Sequence, residues 1–255
     1  MKKNIILILF ILVIFTVKSY AQADTTNQVG IVEHLGDKLP LDLKFVNEHF
    51  DTVTLKQLIN KPTILSFVYF DCPGLCSPLL EGIGDVIQKT DMVLGKDYQV
   101  ITISFNFRDT PEKAKEKKKR FIDRYAKDKS DGWIFLTTDS TTIFKITHAA
   151  GFITKAVGLD FVHPSAIIAI SPQGLITRYL YGITFQPIDV KMAIAEANKE
   201  QPRPTIQKVL LLCYSYDPQG QRYSLDVIKI SGILVLFFAL VFVIIYLIKP
   251  KRKKE

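Results

Sequence analysis

Three uninterrupted runs of apolar, β-branched and aromatic residues constrain this chain more than any other feature: Thr63 to Phe70 (TILSFVYF), Tyr98 to Phe105 (YQVITISF) and Ser165 to Ile170 (SAIIAI). A strand with one face in water alternates apolar and polar residues, whereas runs like these suit strands covered on both faces. The segments between them are helical in pattern. Ser77 to Thr90 carries Leu79, Leu80, Ile83, Val86 and Ile87 at helical spacing, and Thr110 followed by Pro111 gives an N-cap with proline at the first helical position, opening a helix to about Ala126. Ser171-Pro172-Gln173-Gly174 is a turn sequence, so Ser165 to Ile170 and Leu175 to Leu180 are expected to form a hairpin, followed by a helix over Ile188 to Asn198. Short strands near Leu43 and Thr52 come first, and a short helix is expected ahead of Ser165. The order β, β, β, α, β, α, short α, β, β, α implies an α/β sheet, its parallel strands joined by helices and closed by an antiparallel hairpin.

The chain has 255 residues, 48% of them apolar and 11% aromatic, which excludes a disordered or collagen-like protein. Its net charge of +8 would suit a nucleic-acid binder until the charges are located. Lys2 and Lys3, an uncharged run from Ile5 to Val17 and the small residues around Ala21 and Ala23 have the layout of a cleaved signal peptide over residues 1–23. Ile230 to Ile248 is 19 residues without a charge, about 28 Å as a helix, and it stops at Lys249-Pro250-Lys251-Arg252-Lys253-Lys254-Glu255. That is the pattern of a membrane span with a basic tail on the cytoplasmic side. Lys2, Lys3 and Lys18 carry three of the eight net charges and residues 249–255 carry four, leaving one for everything between. The expected protein is a near-neutral domain over residues 24–200, a juxtamembrane segment 201–229, a single span 230–248 and a tail 249–255. It would sit on the outer face of a membrane with its last seven residues inside, and with no nucleic-acid partner. Lys113 to Arg120 (KAKEKKKR) reads as the solvated face of a helix.

The chemistry gathers where the first buried strand hands over to a helix, in Asp71-Cys72-Pro73-Gly74-Leu75-Cys76-Ser77-Pro78. Two thiols at i and i+4 lie about one helical turn apart, beside free N–H groups and the positive end of a helix dipole, which favour thiolate. Three readings compete. A structural disulfide suits an oxidising compartment but closes too short a loop to remove much chain entropy. A redox-active dithiol and a soft-metal site for Cu(I) or Zn(II) remain. His163, just ahead of the third buried strand and held extended by Pro164, is a third donor, and it reaches the cysteines only if its strand runs antiparallel to the first. Cys213 is the odd thiol, and His34, His49 and His148 have no ligand spacing and read as structural.

The strand leading into Cys72-x-x-x-Cys76, the later Ser104-Phe105-Asn106-Phe107-Arg108-Asp109-Thr110-Pro111, and His163 some ninety residues past the cysteines before a strand and Pro-x-Gly turn together resemble the Sco/SenC proteins over about Gly36 to Asn198. The resemblance implies a thioredoxin-like fold and a membrane-tethered copper chaperone that helps to mature the dinuclear copper site of cytochrome c oxidase. Its partners would be the oxidase's copper subunit and an upstream copper donor or thiol reductant. By the same resemblance Cys72, Cys76 and His163 are the metal ligands, suited to Cu(I), with the imidazole helping to retain Cu(II). A thiol-disulfide oxidoreductase using the Cys72/Cys76 dithiol is the alternative. A peroxidase is disfavoured because nothing around Cys72 supplies a Thr and Arg arrangement for peroxide. The chain departs from the family pattern at Gly74, where an acidic residue is usual, at Ser77, where proline is usual, and at Val162, where an Asp often precedes the His. Pro164 stands near where ordinary thioredoxins carry a cis-proline, and a cis peptide there would favour the oxidoreductase.

Overall fold

The computed structural model describes residues 29–127, 129–158 and 160–203, the strands Tyr214–Asp217 and Arg222–Leu225, and eight helical positions between 231 and 242. The expected signal, Cys213, the tail and most of the expected span lie outside the described residues. Among those described, no helix is long and apolar enough to cross a membrane.

In chain order, β1 (Gly30–Ile31), β2 (Lys44–Asn47) and β3 (Thr52–Thr54) lead through a one-turn helix α1 (Leu55–Leu58) to β4 (Thr63–Val68). Helix α2 (Cys76–Lys89), β5 (Gln99–Ser104) and α3 (Pro111–Tyr125) follow, then β6 (Trp133–Thr137) and α4 (Ser140–Ala149). After the short strands β7 (Phe152–Ile153), β8 (Lys155–Val157) and β9 (Asp160–Val162) come β10 (Ala166–Ile170), β11 (Ile176–Tyr181) and α5 (Pro187–Asn198). Seven strands form one mixed sheet in the order β11-β10-β4-β5-β6-β2-β3. β4, β5 and β6 are parallel, and β10, β11, β2 and β3 join antiparallel to their neighbours.

The uninterrupted apolar runs are the centre of this sheet, and every residue of β4, β5 and β10 is buried. Helix α2 packs against both α3 and α5, of which α3 also meets β6 and α5 meets β10 and β11. Each large side chain buried there, such as Phe67, Phe135, Tyr179 or Trp133, contributes about 1.5–3 kcal/mol of apolar transfer. Polar groups at the centre of the sheet pair with one another: Ser66 and Thr102 hydroxyls lie 2.9 Å apart across β4 and β5, and Trp133 Nε1 donates to Thr102 Oγ1 from β6 at 2.9 Å. Thr110 caps α3 as its sequence predicts, accepting from the Lys113 N–H, with Pro111 in the first turn.

Three findings differ from the sequence reading. β6 was not foreseen, although Trp133-Ile134-Phe135-Leu136-Thr137 is itself an apolar run, followed by Asp139 capping α4. The ribbons β1–β7 and β8–β9 are too short to carry a periodic signal. The KAKEKKKR stretch is only partly a solvated face: Lys115, Lys119 and Arg120 are exposed, but Lys118 is buried in an ion pair with Glu48, whose other oxygen accepts from the Phe135 N–H at 3.0 Å. The helical period that exposes Lys115 and Lys119 turns Lys118 into the sheet.

Candidate metal centre

The parallel strands β4, β5 and β6 send their C-terminal ends to one edge of the sheet, and antiparallel β10 brings its N-terminal end there too. The register places Ile167 opposite Ser66, so the His163 turn arrives where β4 gives way to the cysteine loop. The condition the sequence set for His163 is met.

Cys72 sits half-buried on the turn and Cys76 is fully buried as the first residue of α2. Leu75, the residue before α2, makes no side-chain cap, and main-chain donors turn to the sulfurs: Gly74 N–H donates to Cys72 Sγ at 3.3 Å and Tyr69 N–H to Cys76 Sγ at 3.4 Å. His163 is buried, with Nε2 3.6 Å from Cys76 Sγ and Nδ1 3.0 Å from the Pro164 carbonyl. A carbonyl only accepts, so Nδ1 carries the proton and the Nε2 lone pair faces the thiols. The donor atoms of Cys72, Cys76 and His163 all lie within 4.8 Å of one another. Every described peptide is trans, His163–Pro164 included, so the cis-proline condition for favouring an oxidoreductase is not met.

The two thiols are unequal. A hydrogen bond from Cys76 holds Cys72 well below the ordinary thiol range, against the opposing effect of burial, with further help from the main-chain N–H groups of Cys76 and Gly74. Burial, and the negative charge on Cys72, push Cys76 well above that range. The pair therefore holds one proton, a Cys76 thiol donating to a Cys72 thiolate.

The walls are aromatic. Phe105 lies 5.2 Å from the His163 ring, Tyr69 6.1 Å from it edge-on, and Phe161 packs on both at 5.4 Å. Tyr69 Oη donates to Asp160 at 3.3 Å, while burial and the neighbouring Cys72 keep its phenol protonated. Asp109 fastens the loop from below: its buried carboxylate accepts from the Phe70 N–H at 2.7 Å and from Ser104 Oγ at 2.6 Å. Lys113 bridges Asp71 and Asp109. Asp109 belongs to the Arg-Asp-Thr-Pro stretch that the sequence singled out without a role. The aromatic walls and Asp160 gave no sequence signal, because only the topology brings Phe105 and Phe161 to His163.

The other histidines stay outside this cluster. His34 Nδ1 donates to the Ala149 carbonyl at 3.0 Å, His148 stacks edge-on to His34 with ring centres 6.5 Å apart, and His49 lies 3.4 Å from Glu48. The first two are neighbours, which their spacing in the chain did not suggest.

Residues 35–198, more than half of the chain, match the SCO1/SenC family model. The chain belongs to the SCO1/SenC family. It is 26% identical over 149 residues to the SCO1 protein homolog of Bacillus subtilis (strain 168), covering 57% of this chain and 75% of that protein. A crystal structure from Aquifex aeolicus VF5 superposes with a TM-score of 0.58 at 32% identity, over 65% of this chain and 95% of the other. The structure of Arabidopsis thaliana ScoI with copper bound superposes at 0.50 with 20% identity, over 65% and 99%. The mixed sheet flanked by helices is thus the thioredoxin-like fold of the SCO1/SenC proteins. Val162 stands directly before the histidine, and Asp160, two residues earlier, accepts from Tyr69 Oη.

Proposed function

We propose that this SCO1/SenC protein is a copper metallochaperone acting in maturation of the dinuclear copper site of cytochrome c oxidase, with Cys72, Cys76 and His163 holding the metal. The observation that carries this reading is the convergence of two sulfurs and an imidazole nitrogen whose lone pair faces them, all within 4.8 Å. Two thiolates and one imidazole suit three-coordinate Cu(I), and the imidazole helps to retain Cu(II). The family adds support: Sco proteins are described as cytochrome c oxidase assembly proteins. Copper is cargo here. It passes to a partner's thiolates by ligand exchange, and half-exposed Cys72 is the ligand a partner reaches first. The oxidase's copper subunit is the proposed recipient, with an upstream copper donor or thiol reductant restoring the loaded or reduced state.

We further propose that residues 1–23 direct export and that residues 230–248 anchor the domain to the outer face of a bacterial cytoplasmic membrane, with residues 249–255 inside. The apolar stretch ended by five basic residues supports this orientation, as do the exposed Val235, Leu236 and Phe242 among its described positions.

The unequal thiols favour a second reading, a thiol-disulfide oxidoreductase in which Cys72 attacks a partner disulfide and Cys76 resolves the mixed disulfide. His163→Ala separates the two. The purified protein should bind about one copper per chain, and the substitution should weaken binding at least tenfold while sparing dithiol exchange. Copper binding unchanged by His163→Ala would sink the chaperone model. Restoration of oxidase activity in a deletion strain by His163→Ala, but not by Cys72→Ser, would establish the reductase.

A further inference from the structure

The cysteine loop runs from buried Phe70 to Ser77, and both thiols lie on it. The loop's own links across its base run only to sulfur: Cys76 donates to Cys72, and the Tyr69 N–H donates to Cys76 Sγ at 3.4 Å; Pro73 has no N–H, Gly74 spends its own on Cys72, and α2 starts without a side-chain cap. Its two ends are joined from outside. Lys117, one turn past Lys113 on α3, donates from Nζ to the Phe70 carbonyl at 2.8 Å and to Ser77 Oγ at 3.3 Å. Phe70 comes two residues before Cys72, and Ser77 comes directly after Cys76. One ammonium therefore bridges the two ends of the segment that carries both sulfurs. The Phe70 backbone is held at both of its polar atoms, its N–H by Asp109 and its carbonyl by Lys117.

We infer that Lys117 is a positioning residue of the metal centre, a tether from α3 that fixes the separation of Cys72 and Cys76 so that the two sulfurs and His163 Nε2 are set for one metal ion before it arrives. The tether makes no contact with either sulfur and positions them through the loop, while its charge also favours the Cys76 thiolate. Its value lies in pre-organisation: a site whose donors are already spaced loses less freedom on binding. Ser77 thereby gains a role. Its hydroxyl is the second acceptor of the tether, which a proline at that position would not supply.

The copper part of this inference rests on the proposed function, so the test has an arm without metal. The variants are Lys117→Met, which keeps the stem and removes the donor, Lys117→Arg, which restores a cationic donor, and Lys119→Met, which makes the same charge change at an exposed position of the same helix. In the metal-free full-length protein in detergent, Lys117→Met should speed hydrogen exchange of the amides of residues 70–77 about tenfold, with Lys119→Met matching wild type. With Cu(I) supplied from a competing chelator, Lys117→Met should lose about 10- to 100-fold in affinity, the range for residues that orient metal ligands. With Cu(II), its sulfur-to-copper charge-transfer bands should shift, and Lys117→Arg should restore both readouts. Exchange unchanged in Lys117→Met would show that no tether exists. Faster exchange with wild-type copper affinity and spectrum would overturn the positioning role, as would an equal loss in Lys119→Met. A wild-type protein that takes up no copper would instead overturn the proposed function, and the exchange arm would still decide the tether.

Discussion

Cys72 and Cys76 are four residues apart in sequence and on opposite sides of the ordinary thiol range, and that asymmetry has a measurable consequence. In the proposed copper binding Cys72 enters as a thiolate, whereas Cys76 must give up a proton held by burial and by its neighbour's charge. Protons therefore compete with copper at Cys76, and lowering the pH weakens binding. The expected result is one proton released per Cu(I), with affinity rising about tenfold per pH unit between pH 7 and 8.5. Competition titrations against a chelator of known constants read this directly, and an affinity flat with pH would show that both thiols were already ionised. At this scale the sequence carried the three donors, since cysteine spacing at a strand-to-helix junction and a histidine before a strand are visible in one dimension. It did not carry their support. Asp109, Lys117 and Asp160 are polar residues of ordinary appearance whose partners lie 39, 47 and 91 positions away.

Most elements that a sequence pattern can mark were found; β6, an apolar run in its own right, was missed, as were the shortest ribbons. The long buried strands and the three long helices emerged within a residue or two, because 12 to 15 residues at helical spacing, or six consecutive buried ones, leave a repeated signal. Strands of two or three residues such as β7 and β8 leave none. How closely α2 packs was also invisible, yet it depends on one residue type. A Cβ placed on Gly82 would lie 2.0 Å from the Ile183 carbonyl oxygen, and one on Gly84 would lie 2.4 Å from the Tyr125 ring. Alanine is the better helix former by about 1 kcal/mol, but at position 82 it meets backbone that cannot rotate away. Gly82→Ala should therefore destabilise the protein by about 1–3 kcal/mol, read as a lower midpoint in denaturant unfolding. An unchanged or raised midpoint would mean that α2 sits farther from the 182–186 connection than it does here.

For the molecule as a whole, the sequence located the charge correctly in the two ends, and the mixed sheet followed from the alternation of buried strands and helices. The order of the strands did not, because β2 and β3 cross to pair beyond the unforeseen β6. The finished core contains phenols that cannot ionise in place. Burial pushes Tyr179 up to about 12 and Tyr98 higher still. Both ionise near pH 10 in the unfolded chain, so their contribution is whole below about pH 10 and is lost as the pH climbs towards the folded values. Tyr98 also holds a buried hydroxyl with no hydrogen-bond partner among the described residues. Tyr98→Phe should accordingly stabilise the protein by about 1 kcal/mol at pH 7 and lessen the alkaline loss, as measured by urea unfolding at pH 7 and pH 11. A destabilised variant would reveal a partner for that hydroxyl.

The antiparallel seat of β10 beside β4 also sets an order in time. Cys76 and His163 are 87 residues apart and meet only when β10 has inserted against the central strand, one of the long-range pairings that close slowly. A chain that emerges amino end first presents its two thiols well before its imidazole. Three-donor binding is thus a property of the completed fold, and an incompletely folded domain offers copper no more than a pair of sulfurs. On the proposed copper reading, full retention of the metal would therefore report that the domain has finished folding.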